Sequence, residues 1–246
     1  DIIHVLASHP TPPVFDGPED RNGTRNADEI RFWADYINGA DYIYDDNGGT
    51  GGLEAGAKFV IMGDQNSDPN DGDSIPGAIQ QLLNDPLVNT VVTPSSEGGP
   101  DAAARQGGAN TAHISDPSFD TADFADGAPG NLRADYALPS NNLGITQAGV
   151  FWPTDDDPLF NLVGDFPFPT SDHRLVYVDV TDTLPNGVAS GDVTQDSVVL
   201  WTRSTVLGEV TFEYSTTADF SAIAGTITAT VSDPLLPVKV DITNLT

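Results

Sequence analysis

The chain has 246 residues, 37 of them acidic and 9 basic, for a formal charge of −28; 38% of the side chains are apolar and there is no cysteine. This length holds one large or two modest domains, and the apolar share supports a core, so wholesale disorder is excluded. The charge excludes non-specific binding to phosphate backbones or anionic lipid through a basic patch, and the missing thiols exclude disulfides, thiolate metal sites and thiol catalysis.

The opening run Asp1-Ile-Ile-His-Val-Leu6 reads as a buried strand. Ser8-His-Pro-Thr-Pro-Pro13 then has to leave the sheet, because proline cannot donate to a ladder. A helix is predicted over Asn26–Tyr36: Asn26 can cap it, Glu29 completes a capping box, and Ile30, Trp33 and Ile37 recur at helical spacing. Residues 45–57 read as a polar loop. Lys58-Phe-Val-Ile-Met62 is a short apolar run that suits a strand buried on both faces. Ile75–Leu83 reads as a second helix with Pro76 in its first turn, and the Gly-, Ser-, Pro-, Asp- and Ala-rich stretch 94–130 as loop. Three strands follow, over Ala134–Leu138, Gly149–Trp152 and Arg174–Val180.

Composition changes at Thr181-Asp-Thr-Leu-Pro185, where the helical signal ends. Beyond it Ser197–Thr202, Glu209–Tyr214, Thr226–Val231 and Val238–Ile242 alternate as strands with turn signals between them, the pattern of a β-sandwich. A mixed α/β domain over 1–182 and an all-β domain over 183–246 are therefore expected. No apolar run approaches the roughly 18 residues of a membrane span. Both termini read as interior strands, so the chain is expected to be a piece of something longer.

Candidate chemistry gathers at strand ends. Met62 closes a buried strand, Gly63 lets the backbone turn, and Asp64 and Asn66 project to one side if the chain stays extended. Buried strands of an α/β sheet carry their ligands where they emerge at the carboxyl end. His9 follows the opening strand, Asp135 follows Arg133, and Asp172 and His173 precede the last strand of the first domain. Each also has an ordinary reading: Gly-Asp-x-Asn as a turn, Asp172-His173 as an exposed pair, His9 as loop filling. His4 is expected to point into the core and His113 to lie in loop; neither is assigned a role. In Asp64–Asp73 the first, third and fifth positions fit an EF-hand, but Pro69 replaces the glycine and Ile75 the bidentate Glu, so that motif is rejected. A less regular Ca²⁺ site stays open.

Taken in order, His9, then Gly63-Asp64-Gln65-Asn66, then Leu132-Arg-Ala-Asp-Tyr136, then Ser171-Asp-His173 resemble the endonuclease/exonuclease/phosphatase superfamily over about residues 1–181. The resemblance implies a four-layered α/β sandwich, deoxyribonuclease-like and incomplete at its N-terminus, whose metal-binding Glu and Asn would lie upstream of Asp1. It also implies roles. Asp64 would orient and help deprotonate the attacking water, Asn66 would hydrogen-bond a phosphoryl oxygen, His173 would act on the scissile phosphate with its imidazole held by Asp135, and His9 would serve as general acid. Asp172, with Asp64, would hold the metal, Mg²⁺ or else Ca²⁺ or Mn²⁺, and Arg133 would help bind substrate.

Gly187-Val-Ala-Ser-Gly-Asp192 followed by Ser197-Val-Val-Leu-Trp-Thr-Arg203 resembles the N-terminal β-sandwich of PhoD-like alkaline phosphatases, an immunoglobulin/fibronectin-like fold that is only partly present. Together the two resemblances imply a metal-dependent phosphoesterase within a larger multidomain protein, extracellular or periplasmic, acting on a phosphorylated small molecule or a nucleic acid. Arg21, Arg25, Arg31, Arg105 and Arg133 are a thin supply of charge for a nucleic-acid backbone. The alternative reading is a catalytically incomplete Ca²⁺-binding or interaction module of a secreted acidic protein.

Overall fold

A computed structural model of the chain describes residues 2–218 and 220–245. It divides into two compact units between Val180 and Thr181. The first is mixed α/β and the second is built of strands.

In chain order the first unit holds β1 (Ile3–Ala7), α1 (Arg21–Ile37), β2 (Lys58–Asp64), α2 (Gln80–Leu83), α3 (Gly98–Gln106), β3 (Ala122–Asp123), β4 (Asn131–Leu132), β5 (Asp135–Pro139), β6 (Leu143–Phe151) and most of β7 (Leu175–Asp182), whose last two residues fall beyond the division. β1 pairs parallel with β2, which needs a long crossover, and α1 provides it. β2 pairs antiparallel with β5 in a register that sets Asp64 directly opposite Asp135. Strand alternation then sorts the side chains. Leu6, Phe59, Ile61, Tyr136 and Leu138 face one way and pack with Ile30 and Ile37 of α1 and Leu82 of α2. Ile3, Val5 and Met62 face the other way and are exposed. A separate sheet pairs β6 with β7, and Ala102, Val150, Trp152 and Val163 form a second cluster.

Four expectations are corrected here. The first helix starts at Arg21, not Asn26, because the Asp16 carboxylate accepts from the first-turn N–H of Asn22 and supplies the cap from outside the helix. The helix expected over 75–83 shrinks to α2, since Gly77 takes a left-handed φ of 92° that no helix propagates. The stretch 94–130 is not all loop: it contains α3, two 3₁₀ turns and β3. Its small residues answer a packing demand, because a Cβ at Gly98 or Gly99 would run into the carbonyls of Trp152 and Pro117. His4 is exposed, not buried, since β1 is an edge strand on which Leu6 alone is buried.

The second unit holds β8 (Val188–Gly191), β9 (Ser197–Thr202), β10 (Gly208–Ser215), β11 (Ile223–Val231) and β12 (Val238–Thr243). All pairings are antiparallel, in a two-stranded sheet β10-β11 and a three-stranded sheet β12-β9-β8. Phe212, Val231, Val240 and Ile242 are its buried apolar side chains. β8 was not expected, because a four-residue run flanked by glycine carries too little alternation to read as a strand.

Candidate active site

The parallel ends of β1 and β2 are pressed together, and this brings two of the expected residues into contact. Gly63 has a φ of 134°, and a Cβ there would strike the carbonyl of Ser8, whose N–H bonds Met62 at 3.2 Å. Only glycine permits that approach. As a result His9 Nε2 lies 3.2 Å from Asp64 Oδ2. The chain after Asp64 does not stay extended as expected: Asn66 has a φ of 51°, and its N–H donates to Asp64 Oδ1 at 2.8 Å. The ordinary turn is therefore the device that fixes the Asp64 carboxylate. The Asn66 amide donates to Pro10 O at 3.0 Å.

Asn26, read in sequence as a cap, is fully buried in mid-helix, where its amide donates to Thr11 O at 3.0 Å and Gln65 O at 2.9 Å. It ties the loop bearing His9 to the turn bearing Asp64. The sequence contains the signal for a special asparagine, but local pattern assigns it to the wrong task.

Asp135 reaches the same place from β5. Thr121 accepts from the N–H groups of Ala134 and Asp135 and donates its hydroxyl to Asp135 Oδ2 at 2.9 Å. The same oxygen meets His173 Nδ1 at 2.8 Å, which turns Nε2 towards Asp64 Oδ2 at 3.8 Å. Asp64, Asp135 and His173 thus present ligand atoms all within 4.8 Å of one another. Thr121 carries no legible signal in its Asp- and Ala-rich surroundings.

The His173 segment is held in turn. Arg174 N donates to Thr121 O, and the buried Arg174 side chain pairs with buried Asp123 at 2.8 Å between the rings of Trp152 and Phe168. Phe124 meets the His173 ring edge-on at 5.4 Å.

Electrostatics follow from this packing. The hydrogen bond to Asp135 raises the His173 imidazole above its ordinary value and favours the charged form. Burial raises the Asp64 carboxyl, opposed by the Asn66 N–H, while the Asp135 carboxylate adds to the rise. The two crowded carboxylates of Asp64 and Asp135 form an oxygen donor pair that suits a hard divalent cation, and the charged imidazole beside them is a proton donor.

The other expected residues lie elsewhere. Asp172 is outside the cluster of three and lines a neighbouring depression with Arg105, Phe124 and Asp126. The Arg133 guanidinium lies over the Tyr136 ring at 4.5 Å. His113 Nε2 sits 2.9 Å from Pro129 O. Of residues 64–73, Asp64 is the one that belongs to the cluster of candidate metal ligands among the described residues. N–H groups of Asn70, Asp71 and Arg133 and the Ser115 hydroxyl converge on Asp68, and those of Ile114 and Ser115 on Asp71, where a cation would have to displace them.

Asp120 is buried near the carboxylates of Asp68, Asp71 and Asp116, and burial above all pushes its pKa from 3.8 to about 8. The native state keeps a proton that the unfolded chain releases, so this contribution to stability is complete below pH about 3.8 and is lost as pH rises towards 8. Melting of Asp120→Asn is expected to exceed that of the parent at pH 8 and to match it at pH 4. A variant that melts lower at pH 8 would contradict this.

Residues 2–173 match the model of the Endonuclease/Exonuclease/phosphatase family, and residues 176–246 that of the PhoD-like phosphatase N-terminal domain. Among solved structures the chain is similar to an endonuclease/exonuclease/phosphatase from Beutenbergia cavernae DSM 12333, at 14% identity and a TM-score of 0.38, over 91% of this chain and 53% of that one. The chain therefore spans about half the length of that relative. A comparison with curated proteins gave no match.

Proposed function

The chain belongs to the endonuclease/exonuclease/phosphatase family, and from that premise we propose that its first unit hydrolyses a phosphoester with the help of a divalent cation. The observation that carries this reading is the convergence of Asp64, Asp135 and His173 within 4.8 Å, with His9 beside Asp64. The Asp64 and Asp135 carboxylates are the groups that would hold the cation. When bound, it supplies charge neutralisation and polarisation of a phosphoryl oxygen. In a molecule with a charge of −28, few other groups could offset a phosphate.

The protein's own groups have the following parts. Asp64, raised by burial, takes the proton of the attacking water as its oxygen forms the new P–O bond. His173, kept charged and oriented by Asp135, donates from Nε2 to a non-bridging oxygen. Asn66 has a second amide N–H for the same phosphoryl group. His9, with a side chain 70% exposed, can reach the leaving oxygen and give it a proton as the old P–O bond breaks. No described helix is long and apolar enough to cross a membrane. The match of the second unit to a PhoD-like phosphatase domain and the acidic surface favour an exported phosphate-releasing protein.

The test is to assay the full-length protein with a phosphomonoester and a phosphodiester, before and after EDTA. Turnover is expected to vanish on chelation and to return with Mg²⁺, Ca²⁺ or Mn²⁺. Turnover that persists in EDTA, or no turnover with any of these cations, refutes the reading.

A further inference from the structure

We infer that the apolar cavity beside Asn66 is the subsite for an uncharged aryl or alkyl group of a low-molecular-weight phosphoester, an inference that rests on the hydrolase reading above. The cavity measures about 830 Å³, within the range of small-molecule sites. Val14, Phe15, Phe124, Pro129, Leu132 and Ala134 supply much of its wall. Two of its lining residues touch the candidate active site. Asn66 belongs to both, with its N–H on Asp64, and Phe124 is a cavity wall whose ring also meets His173 at 5.4 Å. A group bound there would lie next to a phosphate held by His173 and Asn66.

Charge decides what kind of group that is. No lysine or arginine lines the cavity, and its charged lining residues are Asp68 and Asp73. The Asp68 carboxylate is already taken up by protein N–H and hydroxyl donors. A further phosphate of a polynucleotide would meet no positive partner there, whereas an apolar group would lose water on entering. Phe15 adds an independent sign. Its ring is 96% exposed and its backbone sits at a φ of 64°, a conformation disfavoured for a bulky residue. Strain of this kind persists at ligand clamps, and here it holds an aromatic ring at the cavity mouth.

The experiment compares benzyl and ethyl phosphate esters, whose leaving alcohols are of similar acidity, in the full-length protein with the activating cation. The expected kcat/KM is about tenfold or more in favour of benzyl, the worth of burying an aromatic group. Ala128→Trp, which sets a large side chain on the cavity wall, is expected to erase that preference. Phe15→Gly, which relieves the backbone and removes the ring, is expected to reduce it. Equal kcat/KM for the two esters, or a benzyl preference that survives both substitutions, overturns the inference. Benzylphosphonate, which is not hydrolysed, gives a readout independent of turnover. It is expected to shift the methyl resonances of Ala109, Ala128 and Leu132, and ethylphosphonate is not. Shifts without turnover would remove the hydrolase reading and leave the cavity assignment standing; absence of shifts would remove the assignment.

Discussion

Turnover by the full-length protein is expected to fall about 10²–10⁴-fold when His173 is replaced by alanine, with the fold intact. Two effects act together. The substitution removes the donor facing the phosphoryl group, and it leaves Asp135, positioned by Thr121, as an uncompensated carboxylate beside Asp64. Asp64→Ala is expected to cost a comparable factor, since it removes both the acceptor for the water proton and a group that would hold the cation. The double variant should be little worse than either single one, because residues that act as a unit are not additive. The measurement is kcat at saturating cation, with circular dichroism to check folding. A His173→Ala protein that retains more than a tenth of the parent turnover would show that the cluster is not where the chemistry happens.

The second large effect concerns stability. Arg174→Met is expected to destabilise the first unit by about 3–5 kcal/mol, because it strands a buried carboxylate. Arg174 and Asp123 have side chains 0% and 3% exposed, and burial works against the charge of both, lowering the one and raising the other. The intact pair is for that reason a weak source of stability, and breaking it is costly. Arg174→Met with Asp123→Leu should recover much of the loss, as urea unfolding would show. A single substitution that unfolds at the parent's urea concentration would mean that solvent reaches Asp123. Since Thr121 bridges the Arg174 backbone to Asp135, the single variant should also lose activity beyond what its unfolded fraction explains.

The strands that organise the first unit were legible from local pattern alone. Lys58-Phe-Val-Ile-Met62 and Ala134–Leu138 lie within one residue or two of β2 and β5, because a buried strand must be a run of apolar side chains whatever surrounds it. The motif order carried His9, Asp64, Asn66, Asp135 and His173, and the structure brings these residues to one end of the sheet. What failed was any reading that required knowing a distant neighbour. Asn26 looked like a cap because its partners, Thr11 and Gln65, are 15 and 39 residues away. α3 was missed because glycine and alanine are there to meet the carbonyls of Trp152 and Pro117, and composition alone reads such residues as loop.

The amino-acid sequence by itself determined the family, the order of the two units and the identity of the ionisable groups, since each of these is written in short runs of residues. Only the tertiary structure decided which groups meet. It set Asp135 rather than Asp172 against Asp64 through the β2–β5 register, recruited Thr121 from an unmarked stretch, and opened an apolar cavity beside Asn66. The reason is physical: a hydrogen bond or an ion pair depends on angstrom distances between side chains, and those are set by how whole elements pack.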